Sequence, residues 1–154
     1  MATRGWRVTH VVLVETAQVR IPVSRTRVER AVESVLRAER VTSAQVSVTF
    51  VTDRAMAALN WRHLTHRGPT DVISFGFDAV AKGAPITGDI YIAPDVARRN
   101  AIAAGCGLRE ELLRLVVHGT LHVIGHDHPV DEVRYASPMW RRQEQLLRRV
   151  LMSA

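Results

Sequence analysis

Lysine is almost missing from this chain: of 21 Lys and Arg residues, Lys82 is the only lysine. Cysteine is down to Cys106, set between two glycines, so no internal disulfide can form and a reducing compartment is expected. Aromatic residues make up only 5%, without the interleaved aromatics of an RNA-recognition fingerprint. Apolar runs such as His10 to Val14 or Leu112 to Val117 fall far short of a membrane span, and the N-terminus lacks the apolar core of a signal peptide. A cytoplasmic protein that does not enter the membrane is therefore expected. With no internal repeat, low-complexity tract or linker, residues 1–154 are expected to form a single domain.

What is present points to an ordinary folded chain with an anionic partner. The hydrophobic fraction of 47% and charged fraction of 23% are those of a globular protein. At 154 residues such a chain buries about two thirds of its unfolded surface. The net charge of +6 and the isoelectric point near 10.9 favour nucleic acid ahead of a membrane surface. Arginine carries nearly all of that charge, and its planar fork binds phosphate bidentately. Without an aromatic platform in the sequence, a grip on RNA has to come from a charged cleft.

The local patterns alternate between strand and helix. His10 to Glu15 reads as a buried strand, while Pro22 limits Gln18 to Val23 to an edge or loop. Val28, Ala31, Val32, Val35 and Leu36 follow helical spacing, with Thr26 and Glu29 as a capping box. Val46, Val48 and Phe50 alternate as in a half-buried strand, and a short helix runs from Asp53 to about Trp61, capped by Thr52 or Asp53. Asp71 to Phe77 and Asp89 to Ala93 read as an antiparallel pair around a loop with Lys82, Gly83 and Pro85. Helices then run from Pro94 to Gly105, and from Leu108 to Ile124 as the central one. The last helix is capped by Ser137, starts at Pro138, buries Trp140, Leu147, Val150 and Leu151, and turns Arg141, Arg142, Arg148 and Arg149 to solvent.

The chemistry concentrates between Val117 and His128, V-H-G-T-L-H-V-I-G-H-D-H. His118 and His122 are four residues apart, so a helix puts both imidazoles on one face. Gly125 supplies a residue able to take φ > 0 and end the helix, which lets His128 return to the same point. Three imidazoles leave one tetrahedral position of a zinc ion open for a water, whose pKa falls to roughly 7. The spacing matches that of the metzincin proteases at every metal position, but Gly119 stands where they carry the glutamate base. A metal-dependent hydrolase of another kind is expected. The alternatives are buried histidines with hydrogen-bond partners, or a structural metal.

Four segments in order resemble the YbeY family of bacterial endoribonucleases: Leu59 and Asn60, P-T-D-V-I-S-F at Pro69 to Phe75, G-D-I-Y-I at Gly88 to Ile92, and H-G-T-L-H-V-I-G-H-D-H. With Met139 and Glu144, the resemblance spans about residues 46 to 150. It implies an α+β fold, with a small mixed sheet of about four strands packed with about five helices and a central helix carrying the histidines. It also implies one Zn²⁺ per chain on His118, His122 and His128, and cleavage of single-stranded RNA in ribosomal RNA maturation and ribosome quality control, with ribosomal RNA or a ribosomal subunit as partner.

Two positions depart from the family. Where it usually has a tyrosine this chain has His126, expected to be a plain surface substitution, with a fourth imidazole ligand or an outer hydrogen-bonding group as the alternatives. Leu64 stands where the family carries a cleft arginine tied to RNA cleavage, so Arg62 and Arg67 of the same loop are the candidates for substrate binding. His63 and His66 in that loop are expected to have no role. The expected mechanism is phosphodiester hydrolysis, with zinc activating water and arginine neutralising the phosphate. No general base is evident; Asp127 either orients a ligand imidazole from outside the metal's own shell or caps the turn, with Asp71 and Asp89 as further candidates for the orienting role. Competing classes are a non-catalytic zinc-containing RNA- or ribosome-binding factor, a metzincin-like protease, and a phosphohydrolase of small molecules.

Overall fold

The computed structural model describes residues 7–77, 81, 83–127 and 135–153. The chain runs β1 (Thr9–Thr16), α1 (Arg25–Ala38), β2 (Ser43–Phe50), α2 (Asp53–Leu64), β3 (Val72–Phe77), β4 (Ile86–Ile92), α3 (Pro94–Ala104), α4 (Leu108–Val123) and α5 (Pro138–Met152). The strands form one mixed sheet in the order β1-β2-β4-β3, parallel except for β3, which runs antiparallel to β4. This is the α+β architecture expected, four strands and five helices among the described residues.

Alternation along the strands sorts the sheet into two faces. Ala44, Val46, Val48 and Phe50 of β2 stand level with Ile90 and Ile92 of β4, and with Val28, Val32 and Leu36 of α1, Leu112, Val116 and Leu121 of α4, and Leu146 and Val150 of α5 they form the main core. Each fully buried aliphatic side chain there contributes about 1.5–3 kcal/mol relative to exposure. On the other face, Met56 of α2 closes a smaller cluster with Val51, Ile73 and Ala93.

Several local expectations need correction. β1 is an edge strand, not a buried one: Val11 and Leu13 are 44% and 60% exposed, because only one of its faces meets helices. The five residues assigned to the buried stripe of α1 are buried, but its cap is Ser24, whose side chain accepts from Arg27 N; Thr26 lies inside the first turn. α2 continues a turn past Trp61 to Leu64 before Thr65 takes a left-handed φ of 53°, so Arg62, His63 and Leu64 are helical and not in a loop. α5 starts as expected from Ser137 and Pro138, yet Leu151 is exposed and Trp140 only partly buried; Met139, Gln143 and Leu146 fill that side.

Candidate metal centre and substrate cleft

Helix α4 is pressed unusually close to the sheet by residues without side chains. A Cβ at Gly88 of β4 would stand 2.4 Å from Val123 Cγ1, and one at Gly119 would stand 2.7 Å from Ile90 Cγ2. Position 119 therefore faces the sheet. The glutamate that a metzincin needs here is not merely missing; any side chain at 119 would run into Ile90 instead of reaching the histidine face.

His118 and His122 project from α4 one turn apart, partly exposed, with ring centroids 4.6 Å apart and planes at 76°. Gln143 of α5, only 1% exposed, brings Oε1 to 2.6 Å from His118 Nδ1. An amide oxygen only accepts, so Nδ1 donates and the proton is held there, leaving the lone pair on Nε2. An imidazole oriented in this way is the usual state of a metal ligand. Nothing in the sequence singled out Gln143, because its partner lies 25 residues away on another helix. Gly125 ends the turn after α4 with φ 106°, the left-handed conformation its position required. His128, the third histidine expected at this site, lies outside the described residues. Among the described residues no group of three or more His, Cys, Asp or Glu side chains is arranged to hold a metal ion. The His118 and His122 pair fits two positions of a zinc shell by donor type, ring spacing and the fixed tautomer of His118.

His118 lines a cleft of about 680 Å³ between α4, α5, the end of α3 and the start of β3. Arg114, one turn before His118, donates from Nη1 to Glu111 at 2.7 Å and from Nε to Glu144 at 2.9 Å, and its Nη2 is 3.5 Å from Glu110. Burial works against its charge, but the hydrogen bond to Glu111 and the charge of Glu144 outweigh that and raise its pKa above the usual value. Cys106 faces the same group, its Sγ 3.8 Å from Arg114 Nη1. Burial pushes its thiol pKa up, so it stays a neutral thiol at neutral pH, in keeping with a packing role.

The remaining site expectations fall as follows. Asp71 lines the cleft, but Oδ1 accepts from Val72 N at 2.8 Å and Oδ2 from Asn100 at 3.3 Å. Asp89 accepts from Ser47 Oγ at 2.7 Å on the sheet face turned away from α4. Both carboxylates thus serve nearby donors. Asp127 is exposed just beyond Gly125. His126 is not a plain surface residue: its Nε2 lies 3.3 Å from Glu39 Oε2, and Arg142 Nε donates to Glu39 Oε1 at 2.7 Å. Arg142 is accordingly held against the end of α1 and does not belong to a solvated face with Arg141, Arg148 and Arg149.

Arg62, Leu64 and Arg67 are all exposed and none lines the His118 cleft. Their segment is anchored by Asn60, 5% exposed, whose Nδ2 donates to Gly68 O at 2.9 Å across the turn. His63 packs edge to face on Phe75 of β3 at 5.0 Å, a contact the sequence did not suggest.

A family model described as Endoribonuclease YbeY matches residues 13–151 of the chain. The Endoribonuclease YbeY of Thermobifida fusca (strain YX) is 40% identical over 116 residues, covering 70% of this chain and 75% of that protein. The Endoribonuclease YbeY of Frankia alni is 44% identical over 115 residues, 68% of this chain and 62% of its own length. The solution structure of TM1509 from Thermotoga maritima shares the fold, with a TM-score of 0.61 at 23% identity over 91% of this chain and 89% of that one.

Proposed function

The chain belongs to the endoribonuclease YbeY family, and on that premise we propose that residues 1–154 are one zinc-dependent ribonuclease domain acting in the cytoplasm. Its substrate is single-stranded RNA, in the maturation and quality control of ribosomal RNA. His118, His122 and His128 hold the zinc. The observation that carries this reading is the His118 and His122 pair on one face of α4, with Gln143 holding the Nδ1 proton of His118. When bound, zinc supplies a Lewis acid for the scissile phosphate and lowers the pKa of water to about 7.

The chain's own groups do the rest. Gln143 keeps the His118 ring in one tautomer and orientation. Asp127, next to His128 in sequence, orients a ligand ring through its other nitrogen. Arg62 and Arg67 take RNA phosphates: both are exposed near the end of α2, and neither makes an ion pair among the described residues. No helix among the described residues is long and apolar enough to cross a membrane.

A second reading, an RNA- or ribosome-binding factor with structural zinc, is favoured by Leu64, which is 45% exposed where the family carries its cleft arginine. One experiment separates the two. Protein purified without chelator is assayed for metal and for cleavage of single-stranded RNA, beside His122→Ala and Leu64→Arg. The nuclease reading expects close to one zinc per chain, loss of zinc and cleavage in His122→Ala, and a gain in cleavage of about 10²-fold in Leu64→Arg if a phosphate contact is recovered. Cleavage by the parent no greater than by His122→Ala, with zinc present, leaves the binding factor. Absence of any transition metal overturns both.

A further inference from the structure

Half of the backbone bonding groups of β1 are unused. Thr9 N donates to Thr42 O at 2.8 Å and Ala17 N to Phe50 O at 2.8 Å, so the odd-numbered residues of this strand turn their backbone groups toward β2. Successive strand residues bond to opposite sides, so the groups of His10, Val12, Val14 and Thr16 point away from the sheet. Among the described residues no strand lies on that side and no backbone bond reaches those groups. Lysine, proline and a bulge are the usual devices that blunt such an edge. None occurs in Thr9–Thr16, whose register against β2 runs unbroken. On the face of β1 without helices, Val11 and Leu13 are 44% and 60% exposed.

An edge of this kind is completed by another strand, and the residues of β1 suit a second copy of themselves. Both members of a hydrogen-bonded antiparallel pair must present their groups outward, so even-numbered residues oppose even-numbered ones. With Val12 opposite Val12 of the second copy, His10 and Val14 exchange bonds, and Val11 and Leu13 oppose each other in the closely spaced pairs without hydrogen bonds. Both exposed aliphatic side chains are thereby covered, twice over by symmetry. Glu15 then stands opposite Thr9, and Arg7 lies on the diagonal, within reach of a long side chain. Arg7 and Glu15 are exposed and neither makes an ion pair among the described residues. They are roughly 26 Å apart along one strand, so they can meet only between copies. Shifting the register by two residues one way puts Val11 opposite Glu15. The other way puts Leu13 opposite Thr9 and pairs only the first half of the strand.

We propose that the chain forms a two-fold symmetric dimer through β1, antiparallel with Val12 on the axis, so that two four-stranded sheets become one of eight strands. The His118 cleft borders β3, the opposite edge of the sheet, so both clefts stay open in the dimer. A single strand pair covers less than the roughly 1,600 Å² of a standard interface, and the association is reversible in the micromolar range.

Sedimentation velocity of the full chain, over about three decades of concentration up to about 500 µM, should show a monomer–dimer equilibrium. Arg7→Glu and Glu15→Arg should each raise the dissociation constant about fivefold, since the contact occurs twice, and the double variant with the charges exchanged should restore it. Leu13→Lys, at an exposed position where folding is not at stake, should be monomeric with the zinc content of the parent and the melting temperature of dilute parent. Oxidation reads the register: Val11→Cys and Leu13→Cys chains, each also carrying Cys106→Ser, should cross-link when mixed, because those two positions oppose each other. Parent that stays monomeric throughout, a dimer that survives Leu13→Lys unchanged, or exchanged charges that recover nothing overturns the proposal. So does cross-linking of either cysteine chain with itself as readily as in the mixture, or growth into open aggregates in place of a closed dimer. None of these readouts depends on the nuclease reading.

Discussion

At His118 the ring nitrogen that carries the proton is chosen by a residue on a different helix. Gln143 is buried and accepts from Nδ1. Gln143→Leu keeps the volume but leaves that N–H without its acceptor, and loss of such a partner weakens metal affinity by about 10–100-fold. Competition with a chelating dye should read that loss in zinc affinity, while Gln143→Glu, which again offers an oxygen acceptor, should recover most of it. Unchanged zinc affinity in Gln143→Leu would mean that the His118 ring is oriented by something else. The histidine spacing was readable in the sequence because i and i+4 positions on a helix are neighbours by construction. Gln143 was not, since nothing local to α5 marks a glutamine as facing a ring on α4.

At the scale of elements, the site depends on how closely α4 lies on the sheet. Gly119→Glu, the substitution that completes the metzincin pattern, should not create a peptidase. Overpacking against Ile90 alone costs about 1–3 kcal/mol, and a carboxylate forced into that contact adds desolvation. A large drop in melting temperature without peptide hydrolysis is expected; a stable, peptide-cleaving variant would refute the close packing.

The end of α1 is tied to the loop after α4 and to α5 through Glu39. Burial alone would raise the Glu39 pKa, but hydrogen bonds from Arg142 and His126, with the charge of Arg142, outweigh it and hold the carboxyl below its ordinary 4.5. A depressed carboxyl contributes stability that is present above its unfolded pKa and lost as pH falls through the folded one. Stability should thus decline below about pH 4.5, and Arg142→Met should make that acid decline shallower. Denaturant titrations at a series of acid pH values read the slope.

For the molecule as a whole, the net charge of +6 governs how it meets RNA. Binding to single strands should weaken steeply with salt, because each neutralised phosphate releases condensed counterions, at about 0.7 in log affinity per log salt for a single strand. Arg62→Ala and Arg67→Ala should each reduce affinity and flatten that slope by about one contact. Parallel salt titrations of parent and variants with identical slopes would show that the end of α2 takes no phosphate.

The α+β class came with the family resemblance; sequence by itself determined the buried stripe of α1, the antiparallel β3–β4 pair, the cap at Ser137, the left-handed Gly125 and the pairing of His118 with His122, and narrowed the α2 cap to Thr52 or Asp53. These are set by periodicity and backbone sterics within a few residues of each position. Tertiary structure alone decided that β1 is an edge, that Gly119 faces Ile90, that Gln143 holds His118, and that Arg142 and His126 share Glu39. Each of those depends on which faces of distant elements are brought together, and a one-dimensional pattern carries the periodicity of a face but not the identity of what packs against it.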